Sequence, residues 1–346
     1  MEKKTVYKTY NSIDVLKLIL AILVLVIHAG IDKTVISPVL RIAVPLFFII
    51  SGYFFFLKQQ TLHTKAEKNR ALWLLVKRNG LLYIFWSVAQ LPVTMYARDY
   101  LEVLPKGLWY ALRDILLGSG FTGAWYIPAL VVGVVIVFYL SKKLSNAWLA
   151  ALTLPIYGVC CLLTNYGNLF DAGGIITGIG EGYRELTGGQ YFYTSFPAAL
   201  FWVSAGKLLA EQKRNIRTGM MWAAAAIATA LIMIERYTVV RWSLAITDDC
   251  YFSLMLLCPV VFWLVKENNT TFSGRFRFRE MSTLLYVTHG ACGRIVGAAL
   301  KLKMLAALNN EIIKAIVTLL VAMAVSMIFL WIRDRFPKIK VLKYAC

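Results

Sequence analysis

The chain has 346 residues, of which 59% are hydrophobic and only 16% are charged. Soluble globular domains carry about 25% charged residues, so this composition and a mean hydropathy of +0.65 exclude an ordinary soluble protein. Lys and Arg number 37 against 18 Asp and Glu, an excess that in a soluble protein would suggest a nucleic-acid partner. The six cysteines show neither CxxC nor zinc-type spacing, so we expect no disulfide and no metal site. We also expect no bound cofactor.

Ten apolar runs follow one another along the chain. They lie at 13–30, 38–57, 79–97, 124–140, 148–164, 194–210, 219–235, 250–265, 281–299 and 312–332. About 20 apolar residues cross the hydrocarbon core as an α-helix, and lipid requires the backbone hydrogen bonds to close within each segment. The runs therefore predict an all-α, polytopic membrane bundle of about ten transmembrane helices. We expect one membrane domain over 1–346, with no soluble domain and no cleaved signal.

The basic residues predict the orientation of this bundle. With the N terminus inside, the inner segments hold 23 Lys and Arg, whereas the outer connections hold 9. The inner segments are 1–12, 58–78, 141–147, 211–218, 266–280 and 333–346. Because Lys and Arg accumulate in short cytoplasmic loops, both termini are predicted to be cytoplasmic. The same bias accounts for the positive excess, so we expect a lipid bilayer and no nucleic acid as partner.

Two of the outer segments are unusual. Residues 98–123 combine Trp109 with Arg113 and Asp114, which is typical of a helix that lies in the membrane interface. Residues 165–193 are rich in glycine, and we predict a flexible loop or lid there.

The first apolar run contains two ionisable residues. Lys17 and His28 are eleven residues apart, which places them on one helical face and about 16 Å apart along the axis. An ionisable residue inside a span costs about 2.5–3.5 kcal/mol and indicates function. His28 is suited to take a proton near neutral pH, and Asp14 can pair with Lys17. The alternatives are an interfacial Asp14–Lys17 pair and an interhelical hydrogen bond from His28.

Basic residues outside the first run suggest where a charged donor would bind. Arg70, Lys77 and Arg78 of the inner segment 58–78 can contact the phosphates of a CoA donor, although membrane topology alone also explains their charge. Arg41, at the outer end of the second run, can stabilise developing oxyanion charge or anchor its helix at the interface.

Three acidic residues and a second histidine lie late in the chain. Glu235, Asp248 or Asp249 can orient His28 as a supporting carboxylate, or they are solvated loop charges. His289 lies in the middle of the 281–299 run, where it packs between helices, binds the acceptor or acts as a second catalytic histidine.

The sequence around these residues resembles a known family. SIDVLKLILAILVLVIHAG, with its Lys17-x10-His28 spacing, and RIAVPLFFIISGYFF resemble the opening of the acyltransferase 3 family of integral-membrane O-acyltransferases. AWYIPALVVG, with Trp125 and Tyr126, is similar to the membrane part of the serine-racemase-fused vancomycin-resistance members. FREMSTLLYVTHG, with His289, resembles the family's late Ser…Tyr…His helix.

The resemblance implies a ten-helix bundle in the plasma membrane. It implies transfer of an acyl group, most simply acetyl, from cytoplasmic acyl-CoA to a hydroxyl of a cell-surface glycan or related acceptor. His28 matches the catalytic histidine as general base, and Lys17 matches its basic partner. The substrate-binding candidates are Arg41, Asp14, Tyr126, Trp125, Glu235 and His289.

Two other functions stay open from the sequence. A transporter or flippase could line its path with Lys17, Arg41 and His28, although the inverted repeats of many transporters are not found. A non-catalytic scaffold or sensor is the third possibility. Acceptor identity, acyl length and oligomeric state are left undetermined.

Overall fold

The computed structural model describes residues 10–31, 36–171, 173–187, 189–212, 217–270, 276–301 and 310–346. Within these ranges the chain forms helices and short 3-10 turns and no β-strand, which confirms the all-α prediction. The helices are α1 (Asn11–His28), α2 (Ser37–Leu40), α3 (Ala43–Gln60), α4 (Lys65–Ala89), α5 (Leu91–Ala97), α6 (Lys106–Leu116), α7 (Tyr126–Leu140), α8 (Asn146–Leu162), α9 (Ile175–Leu186), α10 (Phe196–Glu211), α11 (Thr218–Arg241), α12 (Leu254–Glu267), α13 (Phe278–Leu300) and α14 (Glu311–Arg335).

Each of the ten apolar runs falls on one helix or on two consecutive helices, but not all of these helices are long enough to span a bilayer. By length and composition, four elements qualify among the described residues: α1, the consecutive pair α2–α3, α11 and α14. The pair α4–α5, bent by 61°, is a fifth candidate. Helices α7, α8, α10 and α12 have 15, 17, 16 and 14 residues, fewer than the ~20 that a span requires. The predicted number of about ten spans is therefore not confirmed.

The centre of the bundle is built on α1, α3, α10 and α13. Helix α10 packs against α3, α7 and α8, and α1 packs against both α3 and α13. Glycines allow the closest approach: a Cβ on Gly52 of α3 would lie 2.8 Å from the Val203 carbonyl oxygen, and one on Gly206 of α10 would lie 2.5 Å from the Ile49 carbonyl oxygen. Small residues of this kind let helix backbones touch. The packing of α1 on α13 brings their side chains together.

The two unusual outer segments both contain a helix. Residues 98–123 include α6, as predicted, with Trp109 exposed and Asp114 buried. The prediction of a flexible loop over 165–193 is wrong for Ile175–Leu186, which form α9. Apolar side chains recur there at helical spacing, and this amphipathic pattern outweighs the cost of about 1 kcal/mol for each internal glycine.

Candidate functional site

Helix α1 carries the two predicted catalytic residues near its opposite ends. The helix runs without a break from Asn11 to His28, so the eleven-residue spacing from Lys17 to His28 is a helical one. The Lys17 ammonium lies 3.5 Å from an Asp14 carboxylate oxygen and 5.7 Å from the centroid of the Phe54 ring. The predicted Asp14–Lys17 pair is therefore present. We refer to the two regions as the Lys17 end and the His28 end of α1.

At the His28 end, two imidazoles face each other. The ring centroids of His28 and His289 are 5.0 Å apart, with 34° between the ring planes. His28 is exposed, whereas only 1% of His289 is accessible. The nearness of these rings follows from the packing of α1 on α13.

The hydrogen bonding of His289 determines its tautomer. Its Nδ1 meets the Tyr286 carbonyl oxygen. Because a carbonyl oxygen can only accept a hydrogen bond, Nδ1 carries the proton of the neutral ring and Nε2 carries the lone pair. That Nε2 is buried, and it has no hydrogen-bond partner among the described residues. It is therefore an acceptor without a donor.

A glycine lies beside both imidazoles. Gly123 precedes α7 and has a φ of +78°. A Cβ built on it would lie 3.5 Å from His289 Nε2 and 3.7 Å from His28 Nε2. The Tyr286 hydroxyl donates to the Gly123 carbonyl oxygen, which ties this position to α13. We refer to the point that the missing Cβ would occupy as the Gly123 space; both Nε2 atoms border it.

Tyr126 and Trp125 stand at the N-terminal end of α7, next to the histidine pair. The Tyr126 hydroxyl donates to the Phe47 carbonyl oxygen at 3.1 Å and lies 3.1 Å from the Ser51 hydroxyl. Its ring centroid is 5.5 Å from that of Tyr286. Tyr126 thus contacts both α3 and Tyr286, the residue that hydrogen bonds to Gly123, and its ring packs beside the histidine pair.

A cavity of about 70 Å³ adjoins the site and includes Ile27, Arg41, Trp125, Tyr193 and Asp249 in its lining. The Arg41 guanidinium lies 2.7 Å from an Asp249 carboxylate oxygen. Burial, with a contribution from the Asp249 carboxylate, raises the pKa of Tyr193 to about 12, so its phenol stays protonated at neutral pH. The lining of the cavity therefore includes the Arg41 guanidinium, whose charge is balanced by Asp249, and the Tyr193 hydroxyl as a hydrogen-bond donor.

Glu235 lies at the junction of α11 and α12. Its carboxylate accepts backbone hydrogen bonds from Phe252 at 2.8 Å and from Ser253 at 2.7 Å, and one from the Tyr166 hydroxyl at 2.9 Å. Phe252 and Ser253 immediately precede α12, and a carboxylate beside the N-terminal end of a helix is stabilised by the helix dipole. The structure thus places Glu235 as a cap on α12 and does not bring it to His28.

Asp248, the second of the predicted carboxylates, is also engaged. It lies 3.0 Å from the Arg236 guanidinium and accepts hydrogen bonds from the Ser37 and Tyr251 hydroxyls. It therefore ties α2 to the segment between α11 and α12.

The Lys17 end gathers positive charge from three helices. The charges of Arg78 (α4) and Arg279 (α13) both act on Lys17, and that of Arg279 also acts on Arg78. Both arginines are exposed, and neither forms an ion pair with any residue that the structure describes. We call Lys17, Arg78 and Arg279 the basic group. Arg70 and Lys77, the other two predicted phosphate contacts, are also exposed on α4.

The neighbouring arginines of the Lys17 end are neutralised. Arg277 pairs with Glu280 and Asp334, and Arg333 pairs with the same two carboxylates. The positive charge of the basic group is thus distinct from the paired network beside it.

Two residues of the site are absent from the sequence-based prediction. Gly123 is the last glycine of GSGFTG, the run just before α7, and this repetition of glycine was the available signal. Arg279 belongs to the inner segment 266–280, which was assigned to topology alone. Of the predicted substrate-binding residues, His289 belongs to the histidine pair and Tyr126 lies beside it, while Arg41 and Trp125 line the adjoining cavity.

The fold and the site define a helical membrane protein with a histidine centre at one end of a helix and a basic group at the other. Residues 10–331 match the family model described as an acyltransferase domain. The chain therefore belongs to the acyltransferase 3 family, as the sequence motifs predicted.

Similarity to curated proteins covers part of the chain. The chain is 30% identical over 168 residues to an amino-acid racemase of Enterococcus faecalis. The aligned residues cover 44% of this chain and 22% of the relative. The chain is also 29% identical over 154 residues to a serine/alanine racemase of Enterococcus gallinarum. Here the aligned residues cover 41% of this chain and 21% of the relative. The aligned part thus spans about a fifth of the relatives' length. No solved structure matches the chain.

Proposed function

We propose that the protein is an O-acyltransferase of the plasma membrane. It moves an acyl group, acetyl in the simplest case, from cytoplasmic acyl-CoA to a hydroxyl of a cell-surface glycan or related acceptor. The observation that carries the proposal is the facing pair of His28 and His289 at one end of α1, with the basic group at the other. The family membership supports the same reaction type.

The basic group is the binding site that we propose for the donor. Guanidinium groups form charge-assisted, bidentate hydrogen bonds with phosphate, and Arg78 and Arg279 are exposed. A donor held there by its phosphates can direct its thioester along α1 towards His28, over the ~16 Å that eleven helical residues span. The Lys17 end would then face the cytoplasm, with both chain termini.

The reaction follows from a neutral imidazole at His28. Its Nε2 takes the proton of the acceptor hydroxyl as the hydroxyl oxygen attacks the thioester carbonyl carbon. The carbon–sulfur bond then breaks, and the CoA thiolate leaves with the proton from the imidazolium. Arg41, which lines the adjoining cavity, is the residue that we propose for stabilising the negative charge on the carbonyl oxygen.

Replacement of His28 tests this proposal. In membranes supplied with labelled acyl-CoA and cell-envelope glycan, His28→Ala should lower transfer by about 10²–10⁴-fold, the contribution of a general base. His63→Ala is the matched control, because His63 is exposed in the loop before α4, and it should transfer at the wild-type rate. Wild-type transfer by folded His28→Ala would exclude His28 as the base.

The product distinguishes transfer from transport. The mass of the envelope glycans, compared with and without the protein, should differ by whole acyl groups. Movement of a glycan across the membrane without any change in its mass would favour the transporter instead.

A further inference from the structure

The histidine centre presents two hydrogen-bond acceptors to one point. The Gly123 space lies 3.5 Å from His289 Nε2 and 3.7 Å from His28 Nε2. His289 Nε2 bears a lone pair, because Nδ1–H is held by the Tyr286 carbonyl oxygen. His28, as the general base of the proposed function, must also present a lone pair on its Nε2. The reactive centre then has two acceptors from two different helices.

A single hydroxyl cannot satisfy both nitrogens, because it donates only one hydrogen bond. The second lone pair would remain buried without a donor, which is unfavourable for a polar atom. His289 is 1% exposed and its Nε2 has no partner among the described residues, so this acceptor is part of the site before substrate binds. Two neighbouring hydroxyls provide one donor for each nitrogen.

We propose that the acceptor is a vicinal diol, with its reacting hydroxyl on His28 Nε2 and the adjacent hydroxyl on His289 Nε2. This inference rests on the proposed function and specifies its substrate class. Only the reacting hydroxyl loses its proton, to His28; the hydroxyl on His289 donates a hydrogen bond and keeps its proton. His289 thereby selects the acceptor and orients it.

Access to the two nitrogens agrees with this arrangement. His28 is exposed, so the reacting hydroxyl stays on the open side, where the thioester can reach it. His289 lies deeper, and because Gly123 has no side chain, it leaves unoccupied the point 3.5 Å from His289 Nε2 at which the adjacent hydroxyl approaches. A ring that carries neighbouring hydroxyls, as in a sugar, can place one hydroxyl at the exposed His28 and the other at the buried His289.

Paired acceptors test the inference with the full chain in membranes. The probes are methyl glucoside, galactoside and mannoside, each with its mono-deoxy derivatives, and mass spectrometry identifies the acylated position. Removing the hydroxyl next to that position should lower kcat/KM by about ten- to a hundredfold, as expected when a buried acceptor loses its donor. Removing a distant hydroxyl should change kcat/KM by less than about twofold.

Variants of His289 assign the effect to its ring nitrogen. His289→Phe keeps a ring but has no acceptor atom, so it should acylate the parent glycoside and the neighbour-deoxy derivative with similar kcat/KM. His289→Gln keeps an acceptor oxygen and should recover part of the discrimination. Thermal unfolding in detergent checks that both variants are folded.

Two results would overturn the diol assignment: equal kcat/KM of the wild-type protein for parent and neighbour-deoxy glycosides, or full discrimination by folded His289→Phe. Absence of transfer to every glycoside by the wild-type protein would instead contradict acyl transfer itself. The two failures are therefore distinguishable.

Discussion

The two ends of α1 differ in how their charges are compensated. At the His28 end, Arg41 pairs with Asp249 and Arg236 pairs with Asp248, and the reactive groups are imidazoles. At the Lys17 end, Arg78 and Arg279 are exposed and have no carboxylate partner among the described residues. A preorganised, compensated site suits a neutral acceptor, whereas exposed positive charge suits an anion that binds and leaves.

The two ends also differ in how tightly their geometry is held. Gly123 is fixed against α13 by the Tyr286 hydroxyl, and a Cβ on Gly123 would lie 3.2 Å from His289 Cε1. In the basic group Arg78 and Arg279 are exposed, and salt screens the charge of exposed groups. Substitutions at the His28 end should therefore affect the rate of transfer, and those at the Lys17 end the affinity for the donor.

After His28→Ala, the largest effect is expected for Gly123→Ala. Its Cβ would occupy the Gly123 space, 3.2 Å from His289 Cε1, and displacement of a reacting group by about 1 Å can cost about 100-fold. We expect transfer to fall by about 100-fold or more in a rate assay with labelled acyl-CoA.

Gly118→Ala is the matched control for backbone strain. Gly118 has a φ of +90°, and its Cβ would lie 3.2 Å from the Pro128 side chain, away from the histidines. Both substitutions impose a left-handed conformation that costs about 1–2 kcal/mol, but Gly118→Ala should retain transfer. An equal loss in both variants would attribute the effect to strain and not to the Gly123 space.

An intermediate effect is expected at the basic group. Arg78→Ala and Arg279→Ala should each raise the KM for acyl-CoA by about tenfold, the equivalent of one charge-assisted hydrogen bond. The kcat should change little, and the dependence of KM on salt should become weaker.

Lys77→Ala tests which residues of α4 belong to the donor site. Lys77 is exposed on the same helix, next in sequence to Arg78, and the sequence predicted it as a phosphate contact. We expect its KM to stay within about twofold of wild type. A shift as large as that of Arg78→Ala would show that the donor site extends beyond the basic group.

The smallest effect on transfer is expected for Glu235→Gln. The carboxylate accepts from two backbone N–H groups just before α12, so its neutralisation should cost about 1–3 kcal/mol of stability. Thermal unfolding in detergent should shift to lower temperature, while transfer per folded molecule stays unchanged. Loss of transfer without loss of stability would show that Glu235 acts in the acceptor site, as the sequence predicted.

The helical segments were largely predictable from the sequence, but the number of spans was not. Each apolar run became helical because its backbone must hydrogen bond within the segment. Length and composition nevertheless qualify only four or five elements as spans. The shorter helices pack against neighbouring helices; these are α7, α8, α10 and α12. Such packing joins distant segments and cannot be read from a local window of the sequence.

The candidate site was predictable to the extent that it lies on one helix. Helical rotation alone places Lys17 and His28 on a common face and pairs Asp14 with Lys17. Glu235 shows the opposite case: its chemistry suited a supporting carboxylate, but its contacts are with the two residues just before α12.

By itself the sequence determined the helical class, the family and the two residues at opposite ends of α1, because hydropathy and helical spacing are local properties. Only the tertiary structure decided that His289 faces His28, that Gly123 opens the space beside them, and that Arg279 joins Lys17 and Arg78. These residues lie on different helices or loops, and contacts between distant segments depend on how the helices pack.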